Sequence, residues 1–264
     1  QYPIGGSSAF SDRLRDEYLS NGGDLHLGCG VKSVVVHDGL AEGLLLENGQ
    51  QTNADFVVSA ADWHWTVFDA LGGKYASKSM LDLMQPRKED VFWSYCRLFI
   101  GVNRTMKEHS HFERYPIPEF TLPDGTLIEN LEVETYNYDP ALSSGKTTMI
   151  VNLPTHEGKW WIDLRLNDRQ SYLDAKNEVE RNVMECLSAR LGDDWRSSVE
   201  VTDVVTPATF ERYTSNLWGS SQGWTPPDDI TKKTAMRYTL PGLKHFAMCG
   251  HWTVAGGGVP IALA

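Results

Sequence analysis

The sequence has few cysteines and few positive charges. Its four cysteines lie far apart, without the C-x-x-C spacing of a zinc site or a redox dithiol, so we expect free and mostly buried thiols. The 24 Lys and Arg residues face 35 Asp and Glu residues, and the formal net charge is −11. This balance repels a phosphate backbone and predicts that nucleic acid is not a partner.

A long apolar stretch is missing as well. No run approaches the roughly 20 apolar residues that span a bilayer, and residues 1–6 lack the basic and apolar regions of a signal peptide. The composition is otherwise globular, since 41% of the residues are hydrophobic and 9 Trp, 10 Tyr and 9 Phe can fill a core. We therefore expect a soluble, cytoplasmic protein.

The first 23 residues predict a helix. A serine at position 7 or 8, after Gly5-Gly6, can cap its N-terminus. The run Asn21-Gly22-Gly23 can end it. Its apolar positions recur every four residues, at Phe10, Leu14 and Tyr18.

Two Asx-Gly turns then predict a three-stranded antiparallel meander. Asp38-Gly39 joins residues 31–36 to residues 40–46, and Asn48-Gly49 joins these to residues 50–54. Such dipeptides between β-rich runs are typical of tight hairpins.

Shorter elements flank this meander. We expect a short strand over residues 24–27 and a buried strand over residues 56–58. Asp62 is predicted to cap a helix that runs to Leu71.

From residue 72 the pattern changes to longer strands. A helix over residues 168–191, stopped by Gly192, is predicted among them, and residues 214–229 are expected to form a long loop. Together these features indicate an α+β fold with a mostly antiparallel sheet. The predicted strands are 92–102, 131–138, 147–153, 199–205 and 245–249.

The last strand runs into Gly250 and then Gly256-Gly257-Gly258. Glycines after a strand and before a helix let bare backbone N–H groups approach an anion or a flat ring. Three consecutive glycines are also typical of a flexible turn, so this segment by itself leaves both interpretations open.

The order of several segments resembles the phytoene desaturase and carotenoid isomerase family of FAD-dependent oxidoreductases. The resemblance lies in a Gly-Gly segment that opens a helix, the meander from Val31, the strand and cap from Ala54 to Asp62, and the stretch Gly250 to Pro260. It covers residues 3–71 and 238–264, and the middle of the chain only loosely.

The resemblance implies an FAD-binding domain made from residues 1–71 and 240–264, with a substrate domain from residue 72 to 239 inserted between them. It implies an apolar substrate, with a polyene as one candidate, and leaves peripheral membrane contact open. Val31 would touch the adenine, and five residues would lie near the rest of FAD: Gly250, His251, Gly257, Gly258 and Val259. His251 replaces an acid or amide of the family, and Ala255 replaces a proline.

The G-x-G-x-x-G strand-turn-helix of that family is absent. Gly28-Cys29-Gly30 comes nearest, but it leads into a strand. We therefore interpret the chain as a trimmed C-terminal part of a longer enzyme, inactive alone and with weak or no FAD binding. No catalytic residue can be assigned.

Other chemistries remain as alternatives. Gly219-Ser220-Ser221-Gln222-Gly223 matches a nucleophile elbow, although the flanking residues favour a loop over a strand and helix. His109 and His111 could hold a metal, but no ligand cluster accompanies them, so no metal site is expected. The competing function is a non-catalytic module that binds an apolar ligand or partner.

Overall fold

A computed structural model describes residues 4–139, 145–226, 238–254 and 256–258. The strands are β1 Val31–His37, β2 Leu40–Leu46, β3 Gln51–Asn53, β4 Val57–Ser59, β5 Ser94–Val102, β6 Phe112–Thr121, β7 Leu127–Tyr136, β8 Thr147–Thr155, β9 Val199–Val205 and β10 Phe246–Met248. The α-helices are α1 Gly6–Ser20, α2 Lys78–Asp82, α3 Gly158–Asn167, α4 Arg169–Leu191, α5 Asp193–Ser197 and α6 Pro207–Thr214. A π-helix spans Trp65–Ala70, and 3-10 turns span Lys88–Asp90 and Leu217–Gly219.

The chain divides into two units, each made from two separate segments. The first contains Gln1–Leu25 and Ser94–Thr209, and the second contains His26–Trp93 and Phe210–Ala264. Both mix helices and strands, so the predicted α+β class is confirmed. The functional division at residues 71 and 239 stays a prediction.

A five-stranded antiparallel sheet forms the centre of the first unit, in the order β6-β7-β8-β5-β9. Side chains of β5 alternate strictly between buried and half-buried positions, as the pleat of a strand requires. Helix α4 buries the predicted apolar residues Tyr172, Ala175, Val179, Val183 and Leu187. Its ends are also as predicted, because the Asp168 side chain accepts a hydrogen bond from the Ser171 amide and Gly192 follows with φ 86°.

Two small sheets form the second unit. Strands β1, β2 and β3 make the predicted meander, and β4 pairs with β10 in parallel. One apolar cluster fills this unit, and its largest members are Trp63, Trp224, Phe246 and Trp252. The parallel pair joins residues from opposite ends of the sequence.

Several local predictions were wrong. Helix α1 begins after Gly5, whose φ is 84°, and no serine side chain caps it. Its apolar residues Phe10, Leu14 and Tyr18 are exposed, and only Gly6 of the helix is buried. Residues 24–27 form no strand, since no strand lies beside them to complete their backbone hydrogen bonds.

Strand β6 and helix α3 were not predicted. β6 contains Pro116 and Pro118, and it lies at the edge of its sheet, where proline is tolerated. None of the helices in the described part of the chain has the length and apolar character needed to cross a membrane.

Candidate functional site

A cavity of about 540 Å³ lies in the second unit. Three groups of residues line it: Val31, Val34 and Leu44 of the meander, the segment from Val57 to Asp62, and residues of the π-helix that include Trp65 and Thr66. Most of these side chains are apolar. The cavity can therefore take an apolar or flat group.

The pairing of β4 with β10 brings the glycine that follows β10, Gly250, beside the segment from Val57 to Asp62 that lines this cavity. The Cys249 amide donates to the Ser59 carbonyl at 2.9 Å, so Gly250 follows directly beside Ala60. A side chain added at Gly250 would place its Cβ 3.7 Å from the Ala60 carbonyl oxygen. Of the predicted site residues, Val31 lines the cavity and Gly250 contacts a segment that lines it.

Asp62 is a buried carboxylate in the cavity wall, only 4% exposed. Its Oδ1 accepts from the Trp65 amide at 3.0 Å, which fits its predicted capping position, and its Oδ2 accepts from the Leu217 amide at 3.0 Å. Burial raises the pKa of Asp62, and the amide donors oppose that rise. The carboxylate thus fastens the loop at residue 217 to the start of the π-helix.

His251 lies away from the cavity lining, beside Gly223 and the ring of Trp252. The two rings are tilted by 35°, with centroids 5.5 Å apart. Its Nε2 is buried and has no hydrogen-bond partner among the described atoms. Burial lowers the pKa of His251, which favours the neutral ring at pH 7.

The terminal glycines adopt backbone conformations that side chains rarely take, with φ 51° at Gly257 and 80° at Gly258. The position that a Cβ of residue 257 would occupy overlaps Gln222. Gly257 is therefore required by contact with the protein itself. Val259 lies outside the described residues.

Comparison with known proteins shows which sequences are similar to this chain. No family model matches the chain. A 4,4'-diapophytoene desaturase of Methylomonas is 22% identical over 220 residues, which are 78% of this chain and 40% of that protein. A chloroplastic prolycopene isomerase of Daucus carota is 25% identical over 224 residues, 80% of this chain and 34% of that protein. The chain is a distant homologue of phytoene desaturases and prolycopene isomerases.

The relationship has a structural counterpart. A crystal structure of an oxidoreductase from Methanosarcina mazei matches 99% of this chain and 54% of its own, with a TM-score of 0.56 and 13% identity. This likeness shows a shared fold. This chain spans well under half the length of the desaturase and of the isomerase.

In this distant homologue of the desaturase and the isomerase, Ser221 does not have the geometry of a nucleophile elbow. Its hydroxyl donates to the Trp93 carbonyl at 2.8 Å. It follows the 3-10 turn Leu217–Gly219, and residues 221–226 contain no helix. The hydroxyl is thus held by a backbone acceptor, without the strand-turn-helix that would expose it.

The two histidines of the suspected metal motif are engaged separately. His109 Nδ1 contacts Glu113 Oε2 at 2.8 Å, and His111 Nδ1 contacts the Thr135 carbonyl at 3.2 Å. Within the described ranges no three metal-ligating side chains come together.

Sequence reasoning missed part of the cavity wall. Thr214 and Ser215 line it, and the hydroxyls of Ser59 and Thr66 meet at 2.7 Å beside it. No local pattern predicts that residues 214 and 215 lie near β4, because the chain between them is long and the contact depends on tertiary packing. The hydroxyl pair belongs to the capped strand-to-helix segment, so its proximity could have been found.

Proposed function

We propose that the chain is part of an FAD-dependent oxidoreductase that acts on an apolar substrate, with a polyene as one candidate. The reaction would be a desaturation, a saturation or an isomerisation. The observation that carries the proposal is the parallel pairing of β4 with β10, which unites at one cavity two segments with the family's order of motifs. The distant homology over about four fifths of the chain supports it.

The residues present fit FAD in part. His251 lies outside the cavity lining, so its buried, neutral Nε2 would accept a hydrogen bond from a ribityl hydroxyl only where bound FAD extends beyond that cavity. Gly250 leaves its backbone bare at the carboxyl end of β10. Val31, Gly258 and Val259 are proposed as further contacts. The proposed flavin contact of Gly257 has no independent support, because Gln222 already explains the glycine.

When bound, FAD supplies the redox chemistry, and the protein supplies placement and exclusion of water. The mainly apolar lining of the cavity suits this purpose, since polar contacts that orient a ligand are stronger where the bound ligand displaces water. A cytoplasmic location belongs to this proposal as well.

The test measures FAD dissociation from the natural polypeptide, including any residues encoded beyond the 264 of this chain. His251→Leu removes the nitrogen but keeps the bulk, so the loss of one hydrogen bond should weaken FAD about tenfold. Gly258→Ala should also weaken it. Gly192→Ala is the control, because Gly192 has a similar positive φ but ends α4 in the first unit. Equal FAD retention by all three variants would refute the flavin contacts.

A module that binds an apolar ligand without catalysis is the second candidate, because the cavity is mainly apolar. Expression of the complete natural polypeptide distinguishes the oxidoreductase from the non-catalytic module. If it holds no FAD but binds a carotenoid or another apolar probe, the module is correct.

A further inference from the structure

We propose that residues 215–219 form a movable part of the cavity wall, which the Asp62 side chain holds in the strained conformation that the structure shows. These five residues are called the flap below. They belong to the second unit, as Asp62 does. The device needs no cofactor, so it goes beyond the proposed function and is compatible with either candidate.

The backbone of the flap is strained. Within the described residues four non-glycine positions have positive φ, and two of them lie in the flap, with φ 57° at Ser215 and φ 55° at Trp218. In this left-handed region the Cβ of an L residue crowds the following carbonyl oxygen, and a bulky residue such as tryptophan rarely adopts it. Such conformations persist only where the surrounding structure enforces them. The flap should therefore relax to another conformation once its contacts are removed.

The centre of the flap, between the two strained residues, is held by two buried side chains. The Leu217 amide donates to Asp62 Oδ2 at 3.0 Å, and Asn216 Oδ1 accepts from Trp252 Nε1 at 3.1 Å. Asp62 and Trp252 are 4% and 2% exposed, so water does not readily compete for these bonds. The first bond holds the backbone, whereas the second holds a side chain. Asp62 is thus the acceptor outside the loop that fixes the flap backbone.

The contacts at either end of the flap do not involve Asp62. The Ser215 amide donates to the Glu211 carbonyl at 2.7 Å where α6 ends, and the Ser221 amide donates to the Trp93 carbonyl at 3.2 Å. Loss of the Asp62 bond would therefore free only the residues between these two anchors. A short segment with fixed ends, a strained backbone and one central backbone acceptor has what a two-state element requires.

The flap and its acceptor meet at the cavity. Ser215 and Asp62 both line it, and Asp62 Oδ1 accepts from the amide of Trp65, a third lining residue, at 3.0 Å. Release of the flap would move Ser215 from its place in the wall. A ligand that contacts the wall in its held conformation must therefore stabilise that conformation, and holding the flap must strengthen ligand binding in return.

The first test measures hydrogen exchange at single amides of the 264-residue chain. Asp62→Ala should raise the exchange rate of the Leu217 amide about tenfold or more, because the bond that protects this amide is lost. The Ser221 amide, which is bonded outside the flap, should be unaffected. Asp168→Ala is the matched control, since Asp168 likewise accepts from a backbone amide, but at the start of α4 in the first unit.

Relief of the strain distinguishes a two-state flap from an ordinary loop. Ser215→Gly removes the cost of positive φ in the held conformation, so the Leu217 amide should exchange about fivefold more slowly. In an ordinary flexible loop, glycine would add conformational freedom and make exchange faster. Asp38→Gly is the control and should change nothing, since Asp38 has φ 46° in the turn between β1 and β2, away from the cavity lining.

The neutral dye Nile red tests the link between the flap and the cavity. Its fluorescence reports binding, and at saturation it should slow exchange of the Leu217 amide on the order of fivefold. The Ser171 amide, bonded to Asp168 in the first unit, is the control for non-specific effects and should not change. Because no FAD is added, this result is independent of the proposed flavin contacts.

Three results would overturn the proposal: an unchanged Leu217 exchange rate in Asp62→Ala, unchanged or faster exchange in Ser215→Gly, and equal slowing in Ser215→Gly and Asp38→Gly. If Asp62→Ala fails to fold, the sign of the Ser215→Gly effect decides by itself. No bound dye, or a Leu217 amide that exchanges alike with and without saturating dye, would refute the coupling to the cavity.

Discussion

Asp124 joins the β6-β7 turn to β8 and α3 through one carboxylate. Its Oδ2 accepts from Trp161 Nε1 at 2.6 Å and from Thr155 Oγ1 at 2.8 Å, and its Oδ1 accepts from the Thr126 amide at 2.9 Å. Trp161 is fully buried, so its N–H has no water to replace the acceptor. Local structure at this turn therefore depends on a single side chain.

Asp124→Ala should lower the free energy of unfolding by about 2 kcal/mol or more, because it leaves buried donors without acceptors. Urea denaturation measures the change. Asp163→Ala is the control, since Asp163 is a half-exposed residue of α3 that pairs with Lys159 at the surface. Equal loss in the two variants would show that the Asp124 contacts contribute nothing specific.

Asp62 and Asp90 are carboxylates of the second unit, and their contributions to folding stability should change with pH in opposite directions. Burial raises the pKa of Asp62 above 3.8, so its contribution to stability is greatest below pH 3.8 and is lost as pH rises through the raised pKa. Hydrogen bonds from Arg87 lower the pKa of Asp90, so its contribution is present above pH 3.8 and is lost as pH falls through the lowered pKa.

Denaturation of Asp62→Asn and Asp90→Asn across acidic pH checks this. As pH rises, the free energy of unfolding of the wild type should fall relative to that of Asp62→Asn. Relative to that of Asp90→Asn, it should increase. Slopes of the same sign would contradict the assignment of burial as the dominant cause at Asp62.

Helices α1 and α4 differ in whether their apolar side chains are buried. Leu14 of α1 is exposed, whereas Leu187 of α4 is completely buried. Leu187→Ala should cost about 2–5 kcal/mol, and Leu14→Ala should stay within about 0.5 kcal/mol. Thermal or urea unfolding compares them. A large loss for Leu14→Ala would mean that another surface covers α1 in solution.

The same contrast explains what the sequence could predict. The meander was predictable because Asp38-Gly39 and Asn48-Gly49 are local turn signals, and α4 because its apolar face, cap and stop agree. The spacing of Phe10, Leu14 and Tyr18 predicted a helix correctly but not its burial, which depends on what lies opposite. Strand β6 was missed because its prolines contradict a strand pattern except at an edge.

The candidate site was less predictable than the fold. Val31 and Gly250 were named from motif order, but their places at the cavity depend on the pairing of β4 with β10. No spacing rule predicts contact between segments so far apart. The role of Gln222 beside Gly257 was likewise invisible, since it requires backbone positions from two loops.

For the whole molecule, we expect that the 264-residue chain purifies colourless and binds FAD weakly. The sequence has no G-x-G-x-x-G turn, and such a turn provides the main pyrophosphate contact in dinucleotide-binding folds. Visible absorbance of the purified protein and titration with FAD measure this. A yellow preparation with one flavin per chain would contradict it.

The pairing of β4 with β10 has a consequence for synthesis on the ribosome. Val57 pairs with Phe246, so β4 leaves the ribosome long before its partner exists. At bacterial and eukaryotic elongation rates the delay is roughly 10–40 s. The first unit needs no residue beyond Thr209, so it can fold before the second is complete. During that interval the apolar segment around β4 is a natural target for chaperones, and slower translation of the codons for Phe210–Ala264 should increase aggregation.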